Sequence, residues 1–468
     1  MQLPLQNFVL TPTLLKKSLF QRWRSIPLVL FCIIWLHACR VASPDSVSPL
    51  PPSDQYSADV ALAWSDMQLK LIRNTSGFAP PIAARSFGYA GITLYEAIVA
   101  GLPERRSLVG QLQQLTKLPK PETNQAYNWV LSANAAQAFI LKSLFANTST
   151  VYKNRIDSLE NALYTQYKSP DNAVNQRSAE FGKAIAAAIF EWSKTDGGHE
   201  AYSRVFPTGY TVPTGAGMWQ PTENNQKTPM LPYWGKNRTF LSATSTLPMP
   251  TPLVISTDVK SQYFAQYLEV YTKNKALTQP EKEIAVWWAD DPSETFTPPG
   301  HSYNLARIAI KTSGAPLGKA AETLARTGIA VTDAFIACWK CKYTFNNERP
   351  YTYVRRAIDP NWIPFWPSPP FPGYSSGHAT QSAASATVLA DLFGDQFPFT
   401  DDTHTGRARD VARNTDFKAR RFKSFWETAE ESALSRFLGG IHTRQDNDTG
   451  LQEGRKIGQY INALQWKK

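Results

Sequence analysis

The chain has 468 residues, of which 43% are hydrophobic and 19% are charged. This balance excludes an intrinsically disordered protein and predicts a globular chain with a sizeable core. The formal net charge of +11 suits an anionic ligand. Because no basic run is interleaved with aromatic residues, we expect no nucleic-acid partner.

The N-terminal segment predicts export. Residues 1–38 are basic at first and then apolar, with IPLVLFCIIWL at 26–36. This run is too short for a bilayer span, which needs about 20 apolar residues, but it suits a signal peptide. LHAC at 36–39 resembles a bacterial lipobox, which implies cleavage before Cys39, lipidation of its thiol, and a lipoprotein in the periplasm or on the cell surface. The alternative is an ordinary signal peptide or a single N-terminal anchor. A Ser/Pro-rich tether follows at 39–56.

Helical periodicity dominates the rest of the chain, and no series of short alternating segments predicts a sheet. We therefore predict an all-α fold of stacked helical bundles. The predicted helices are 57–73, 81–101, 123–147, 150–167, 172–195, 258–273, 279–290, 301–312, 316–346, 377–394, 423–441 and 444–464.

A long segment rich in Pro, Gly, Thr and aromatic residues interrupts the helices at 196–256. Loops of this length inside a domain are usually functional or ordered. We place a boundary at its end. The prediction is an N-terminal helical region at 57–256 and a C-terminal helical domain at 257–468.

Two cysteines, Cys338 and Cys341, lie in the predicted helix 316–346 as CxxC. One such pair is half a zinc site, and no second Cys or His pair has matching spacing. The preferred interpretation is a pair of small core residues. A redox disulfide is the alternative.

Three segments of the C-terminal domain carry the charged and polar residues that could hold an anion. They are KX6RP (Lys342, Arg349), SGH (Ser376, Gly377, His378) and SRX5HX3D (Ser435, Arg436, His442, Asp446). One lysine and two arginines exceed what a buried site tolerates without an anion. SGH precedes a predicted helix, whose N-terminal N–H groups and dipole also favour an oxyanion.

The spacing of His442 and Asp446 places both on one face of a helix. Asp446 can then fix the tautomer of the histidine. Two glycines, Gly439 and Gly440, precede His442, and each costs about 1 kcal/mol inside a helix relative to alanine. We expect them to allow close packing beneath the bound anion.

These three segments, in this order, resemble the superfamily that joins vanadium-dependent haloperoxidases and type 2 phosphatidic acid phosphatases. The resemblance covers about residues 335–450 and implies two stacked helical bundles with the active site in the C-terminal one. It also implies an oxyanion cradle, an acid–base histidine (His378), and a histidine that bonds vanadium or becomes phosphorylated (His442). The implied cradle is Lys342, Arg349, Ser376, Gly377 and Arg436. Ser375 stands where the superfamily has proline, a change that concerns the turn more than the chemistry.

Two enzymatic functions fit this cradle. The first is a vanadium-dependent haloperoxidase with vanadate as cofactor on His442, which converts hydrogen peroxide and halide to hypohalous acid and modifies small organic substrates. The alternative is an acid phosphatase that acts through a phosphohistidine on His442, oriented by Asp446, with His378 protonating the leaving group. A non-catalytic oxyanion-binding lipoprotein is a third possibility, and the presence of His378 argues against it.

Three further residues favour the haloperoxidase. Trp339 and Phe371 resemble the halide-side wall of the vanadium enzymes, although ordinary core aromatics are the alternative. His301 is a candidate pocket residue, or a helix cap. It lies in the segment 287–304, which contains WADDPSETFTPPGHSYN and resembles bacterial exported relatives of these enzymes.

Overall fold

The computed structural model of the protein describes residues 51–223 and 226–468. The predicted signal peptide at 1–38 and the predicted lipidation site Cys39 lie outside the described residues, as does most of the tether predicted for 39–56. These predictions are therefore untested by the fold.

Within the described ranges the chain forms fourteen α-helices and one short pair of strands. The helices are α1 (Asp59–Asn74), α2 (Pro80–Glu96), α3 (Trp129–Leu144), α4 (Thr150–Tyr167), α5 (Asn172–Ser193), α6 (Ser242–Ser245), α7 (Gln262–Lys275), α8 (Gln279–Trp287), α9 (Thr297–Ser313), α10 (Leu317–Phe345), α11 (Pro350–Ala357), α12 (Gly377–Phe393), α13 (Phe425–Leu438) and α14 (Arg444–Asn462). The strands β1 (Phe399–Asp401) and β2 (Arg420–Phe422) are antiparallel. The all-α prediction is confirmed.

Capping residues explain several helix starts. The side chain of Asn128 accepts from the Leu131 N–H, so α3 begins later than the predicted 123. Ser376 caps α12 and Ser424 caps α13 in the same way. Periodicity failed to predict α6 and α11, because both are too short to show a repeating apolar stripe.

The helix α10 is central, since it packs against α2 on one side and α12 on the other. In turn α12 packs against α14 so closely that a Cβ at Gly454 would lie 2.1 Å from the Thr380 carbonyl oxygen. This contact brings the N-termini of α12 and α14 together. The Ser376 N–H donates to the Asp446 carbonyl at 2.9 Å as a result.

The predicted loop at 196–256 packs against the end of α10. The Met230 carbonyl accepts from the Tyr343 hydroxyl at 2.6 Å and from the Trp339 indole N–H at 3.4 Å. The hydrophobic core contains residues from both sides of residue 256, including residues of α2 and α10. The fold therefore does not test the predicted domain boundary, which stays a prediction. Cys338 and Cys341 are free thiols buried in α10, which confirms the preferred interpretation. Among the described residues, no helix has the length and apolar character of a membrane span.

Candidate active site

Three helices bring the predicted cations together, and all three side chains are buried. Lys342 lies in the last turn of α10, Arg349 directly precedes the first residue of α11, and Arg436 lies in the last turn of α13. Burial lowers the pKa of Lys342 to about 8 and the pKa values of both arginines to about 10. The site therefore holds positive charge at an energetic cost, as expected of a site built for an anion.

Backbone carbonyl groups hold these cations in place. Lys342 Nζ donates to the carbonyls of Pro372 at 2.9 Å and Gly373 at 2.7 Å. Arg349 donates through Nε to the Phe371 carbonyl at 3.0 Å. Within residues 51–223 and 226–468, neither of these two side chains forms an ion pair with a carboxylate. Their positive charge is thus oriented without being neutralised.

Two guanidinium nitrogens have the chemistry to bind an oxyanion. Arg349 Nη2 and Arg436 Nε are buried and have no hydrogen-bond partner among the described residues. Buried donors of this kind are rare in folded proteins because each costs about 1–3 kcal/mol. A tetrahedral oxyanion such as vanadate supplies acceptors for both, so the donor set fits the cofactor that the sequence predicted.

Ser376 and Gly377 form the N-terminus of α12 as predicted. The Ser376 side chain accepts from the Ala379 N–H at 3.5 Å, and Gly377 is the first helical residue. The preceding Ser375, which stands in place of the usual proline, donates its hydroxyl to Glu453 Oε2 at 2.9 Å. Burial raises the pKa of Glu453 to about 7. Ser375 thus links the SGH turn to α14.

His442 and Asp446 are in contact, but the predicted helical path between them is wrong. The chain leaves α13 at Leu438, and Gly440 adopts a left-handed φ of 76°. A Cβ at Gly440 would lie 2.8 Å from the Asn274 side-chain nitrogen. His442 therefore lies in a turn, and Asp446 reaches back to it from the first turn of α14. The glycines end a helix and let the turn pack closely.

The His442 ring is oriented by hydrogen bonds at both nitrogens. Nδ1 lies 2.9 Å from Asp446 Oδ2, and Nε2 lies 2.9 Å from Arg349 Nη1. Burial, and then the charges of Arg349, Lys342 and Arg436, hold the pKa of His442 well below its usual range. The ring is accordingly neutral, with its proton on Nδ1 facing the carboxylate. Nε2 accepts from Arg349 Nη1, so its lone pair carries no proton and faces the cations, as a ligand nitrogen requires.

His378 lies in the first turn of α12 and is partly exposed. Its Nε2 is 3.0 Å from the Trp288 carbonyl oxygen, which also accepts from Arg436 Nη1 at 3.2 Å. Burial, and then Arg436, hold the pKa of His378 well below its usual range. Because a carbonyl can only accept, the proton of neutral His378 lies on Nε2, and Nδ1 can accept a proton.

The predicted aromatic wall lies beside the cations. The rings of Trp339 and Phe371 are in contact, with centroids 4.9 Å apart. Lys342 Nζ lies 5.2 Å from the Phe371 centroid, and the Arg349 guanidinium carbon lies 5.0 Å from it. Both rings are therefore placed where they can shape the cradle, and a halide-binding role stays a prediction.

His301 has a different environment from the pocket position that the sequence suggested. It is buried, and its two ring nitrogens lie within hydrogen-bond distance of Asp290 and Asp401. It is therefore neither a helix cap nor free to face a halide. His404 approaches the same Asp290 at 2.8 Å. Spacing gave no signal for this cluster, because Asp290 and His301 lie about a hundred residues before Asp401 and His404 in the chain. Only the 287–304 segment, which contains Asp290 and His301, pointed towards it.

The chain is similar to known proteins over most of its length. A family model described as the second helical-bundle domain of vanadium chloroperoxidase matches residues 322–466. The vanadium chloroperoxidase of Curvularia inaequalis is 24% identical over 86% of this chain and 82% of its own. The crystal structure of the first bacterial vanadium-dependent iodoperoxidase is 32% identical, covers 88% of this chain and 98% of its own, and superposes with a TM-score of 0.77. The holo form of a bacterial vanadium-dependent chloroperoxidase shares the fold at 16% identity, with a TM-score of 0.63 over 83% of this chain and 92% of its own.

The helical-bundle fold and the buried basic cradle thus define an oxyanion-dependent enzyme. The chain belongs to the vanadium-dependent haloperoxidase family. The predicted family and fold are confirmed.

Proposed function

We propose that the chain oxidises halide with hydrogen peroxide to hypohalous acid, using vanadate held on His442, with iodide as the best substrate. The observation that carries the proposal is the neutral His442, whose Nε2 lone pair faces cations with unpaired buried donors. When bound, vanadate would supply the Lewis-acid centre that activates peroxide. The preference for iodide is supported by the 32% identity to an iodoperoxidase.

The protein residues have separate roles in this proposal. Lys342, Arg349 and Arg436 hold the charge of the oxyanion, and the N–H groups at the start of α12 add further donors. Asp446 keeps the His442 proton on Nδ1, so that Nε2 remains a ligand. His378 takes a proton from peroxide at Nδ1, while its Nε2–H continues to donate to the Trp288 carbonyl. The aromatic wall limits access of water.

The test begins with purified protein freed of vanadium. Halogenation of a phenolic dye is followed with peroxide and with iodide, bromide and chloride in turn, before and after addition of orthovanadate. We expect vanadate-dependent activity that is highest with iodide. Phosphate release from p-nitrophenyl phosphate is measured in parallel, because the phosphatase alternative uses the same cradle. Phosphate release that vanadate inhibits, without halogenation, would overturn the proposal.

Two histidine variants control this assay. His442→Ala removes the ligand nitrogen and should abolish the vanadate-dependent rate. His199→Ala changes a partly exposed histidine that contacts Phe190 far from the cradle in sequence, and it should leave the rate unchanged. An active His442→Ala protein would contradict the assigned ligand.

We also propose that the protein is exported and anchored by a lipid on Cys39. The support is the basic and apolar leader that ends in LHAC. Fractionation of cells that express the wild type and Cys39→Ser is the test. The wild type should remain with membranes and the variant should not. Equal membrane retention of both would exclude the lipid anchor.

A further inference from the structure

A buried cluster of two histidines and two aspartates lies next to Trp288, whose carbonyl contacts His378. His301 Nδ1 is 2.9 Å from Asp290 Oδ2, and His301 Nε2 is 2.8 Å from Asp401 Oδ2. His404 Nε2 lies 2.8 Å from the other oxygen of Asp290. All four side chains are buried, with exposed fractions of 2% or less.

The geometry defines the protonation of His301. A carboxylate can only accept, so each ring nitrogen that contacts one must carry a proton. His301 is then an imidazolium between two carboxylates. Burial alone lowers its pKa, but Asp290 and Asp401 overcome this and raise the pKa of His301 to about 10.

Hydrogen bonds also explain this cluster better than a metal ion does. Asp290, His301 and His404 have the residue types of a metal site. Their facing atoms are nevertheless 2.8–2.9 Å apart, which is hydrogen-bond distance. Asp401 in turn accepts from the Trp287 indole N–H at 2.9 Å, so His301 is held on both sides. A metal bound through Nδ1 would displace the proton that Asp290 accepts.

The cluster contacts the active site through Trp288. The His301 ring stacks on the Trp288 indole, with centroids 4.4 Å apart and planes 18° apart. The indole N–H donates to Glu431 Oε1 at 2.9 Å. The carbonyl of the same residue accepts from both His378 and Arg436. The side chain of Trp288 is thus clamped, while its carbonyl positions the acid–base histidine and one cation of the cradle.

We propose that the Asp290–His301–Asp401 triad is a positioning device, in which a permanent imidazolium clamps Trp288 and thereby fixes His378 for proton transfer. This inference rests on the proposed function, since His378 matters only if the enzyme moves a proton there. His301 itself touches no substrate in this assignment. It is a positioning residue, and its loss should affect the rate per active site more than the binding of vanadate.

The first experiment tests the triad without relying on activity. In wild-type protein labelled with ¹⁵N-histidine, NMR at pH 8 should show one buried histidine with protons on both ring nitrogens. The corresponding signals should be missing in His301→Gln. A His301 ring with one unprotonated nitrogen at pH 8 would overturn the assignment. So would a stoichiometric metal ion in the wild type that is lost in His301→Gln.

The second experiment measures the rate of iodide oxidation per bound vanadate. His301→Gln should lower kcat about 10- to 100-fold, the range seen when supporting residues of a site are removed. The vanadate Kd should change less than about threefold, because Lys342, Arg349 and His442 are held by groups other than Trp288. Simple structural damage would instead lower the number of vanadate sites and leave kcat per site unchanged, and that result would overturn the inference.

Two further variants help to distinguish the possible outcomes of these experiments. His301→Phe keeps a ring against Trp288 but no hydrogen bonds, and we expect a kcat between those of wild type and His301→Gln. His199→Gln is the matched control and should behave as wild type. If wild type itself neither binds vanadate nor oxidises iodide, the proposed function fails, whereas an active wild type with an unaffected His301→Gln defeats this inference alone.

Discussion

Orthovanadate should raise the melting temperature of the protein, because it binds the folded state and supplies acceptors for buried donors. At a vanadate concentration of 100 times Kd, the stabilisation is about 2.7 kcal/mol. With an unfolding entropy of about 2.1 cal/mol/K per residue, a chain of 468 residues gains about 1 °C per kcal/mol. The expected shift is therefore about 3 °C, measured by differential scanning calorimetry.

A pair of lysine variants isolates the cradle. Lys342→Met removes a fully buried ammonium and its charge-assisted bonds, which are worth about 1.5–3 kcal/mol each. A loss of about 100-fold in affinity brings the same vanadate concentration down to Kd, and the shift then falls to about 0.4 °C. Lys340→Met, two residues earlier on the exposed face of α10, should keep the full shift. A full shift in Lys342→Met, or none in wild type, would refute the cradle.

Three other predictions concern catalysis, pH and packing. His378→Ala should keep the vanadate-induced shift but lose about 10²- to 10⁴-fold of the halogenation rate in the dye assay; a rate near that of wild type would rule out its acid–base role. Burial raises the pKa of Glu453 to about 7, so the stability that this group contributes is full below about pH 4.5 and is lost as pH rises through 7. Glu453→Gln should reduce this loss of stability with pH, and its free energy of unfolding at pH 8 should exceed that of wild type by up to about 3 kcal/mol in urea titrations. The exposed Glu430→Gln should keep the pH dependence of wild type. Gly454→Ala places a methyl 2.1 Å from the Thr380 carbonyl and should cost about 1–3 kcal/mol; an unchanged urea midpoint would show that the helices are not packed this closely.

Local sequence signals predicted most of the helices. Apolar periodicity located α10 and α14, and Ser376 of the SGH motif marked the start of α12. The short helix α11 and the three-residue strands were missed, since an apolar repeat needs several turns or alternations to be visible. Gly440 shows the limit of spacing arguments, because its left-handed φ converts a predicted helix into a turn.

The candidate site was also predicted only in part. The cradle could be predicted because its members lie in three compact motifs, each with residue types that suit an oxyanion. The triad around His301 could not, since Asp290 and Asp401 approach it only through tertiary packing. Only the 287–304 segment indicated that this part of the chain mattered. The role of the Trp288 carbonyl could not be predicted either, because every residue has a backbone carbonyl and the residue type does not indicate what it binds.

The use of backbone carbonyls in the cradle has a physical reason. Lys342 and Arg349 are held by carbonyl oxygens, and Arg436 donates to the Trp288 carbonyl. Carboxylates would hold them more strongly but would neutralise the charge and compete with an incoming anion. Neutral acceptors fix the geometry and leave the positive charge for the oxyanion. The folded protein is consequently less stable without an anion than it could be, which is why vanadate is expected to stabilise it.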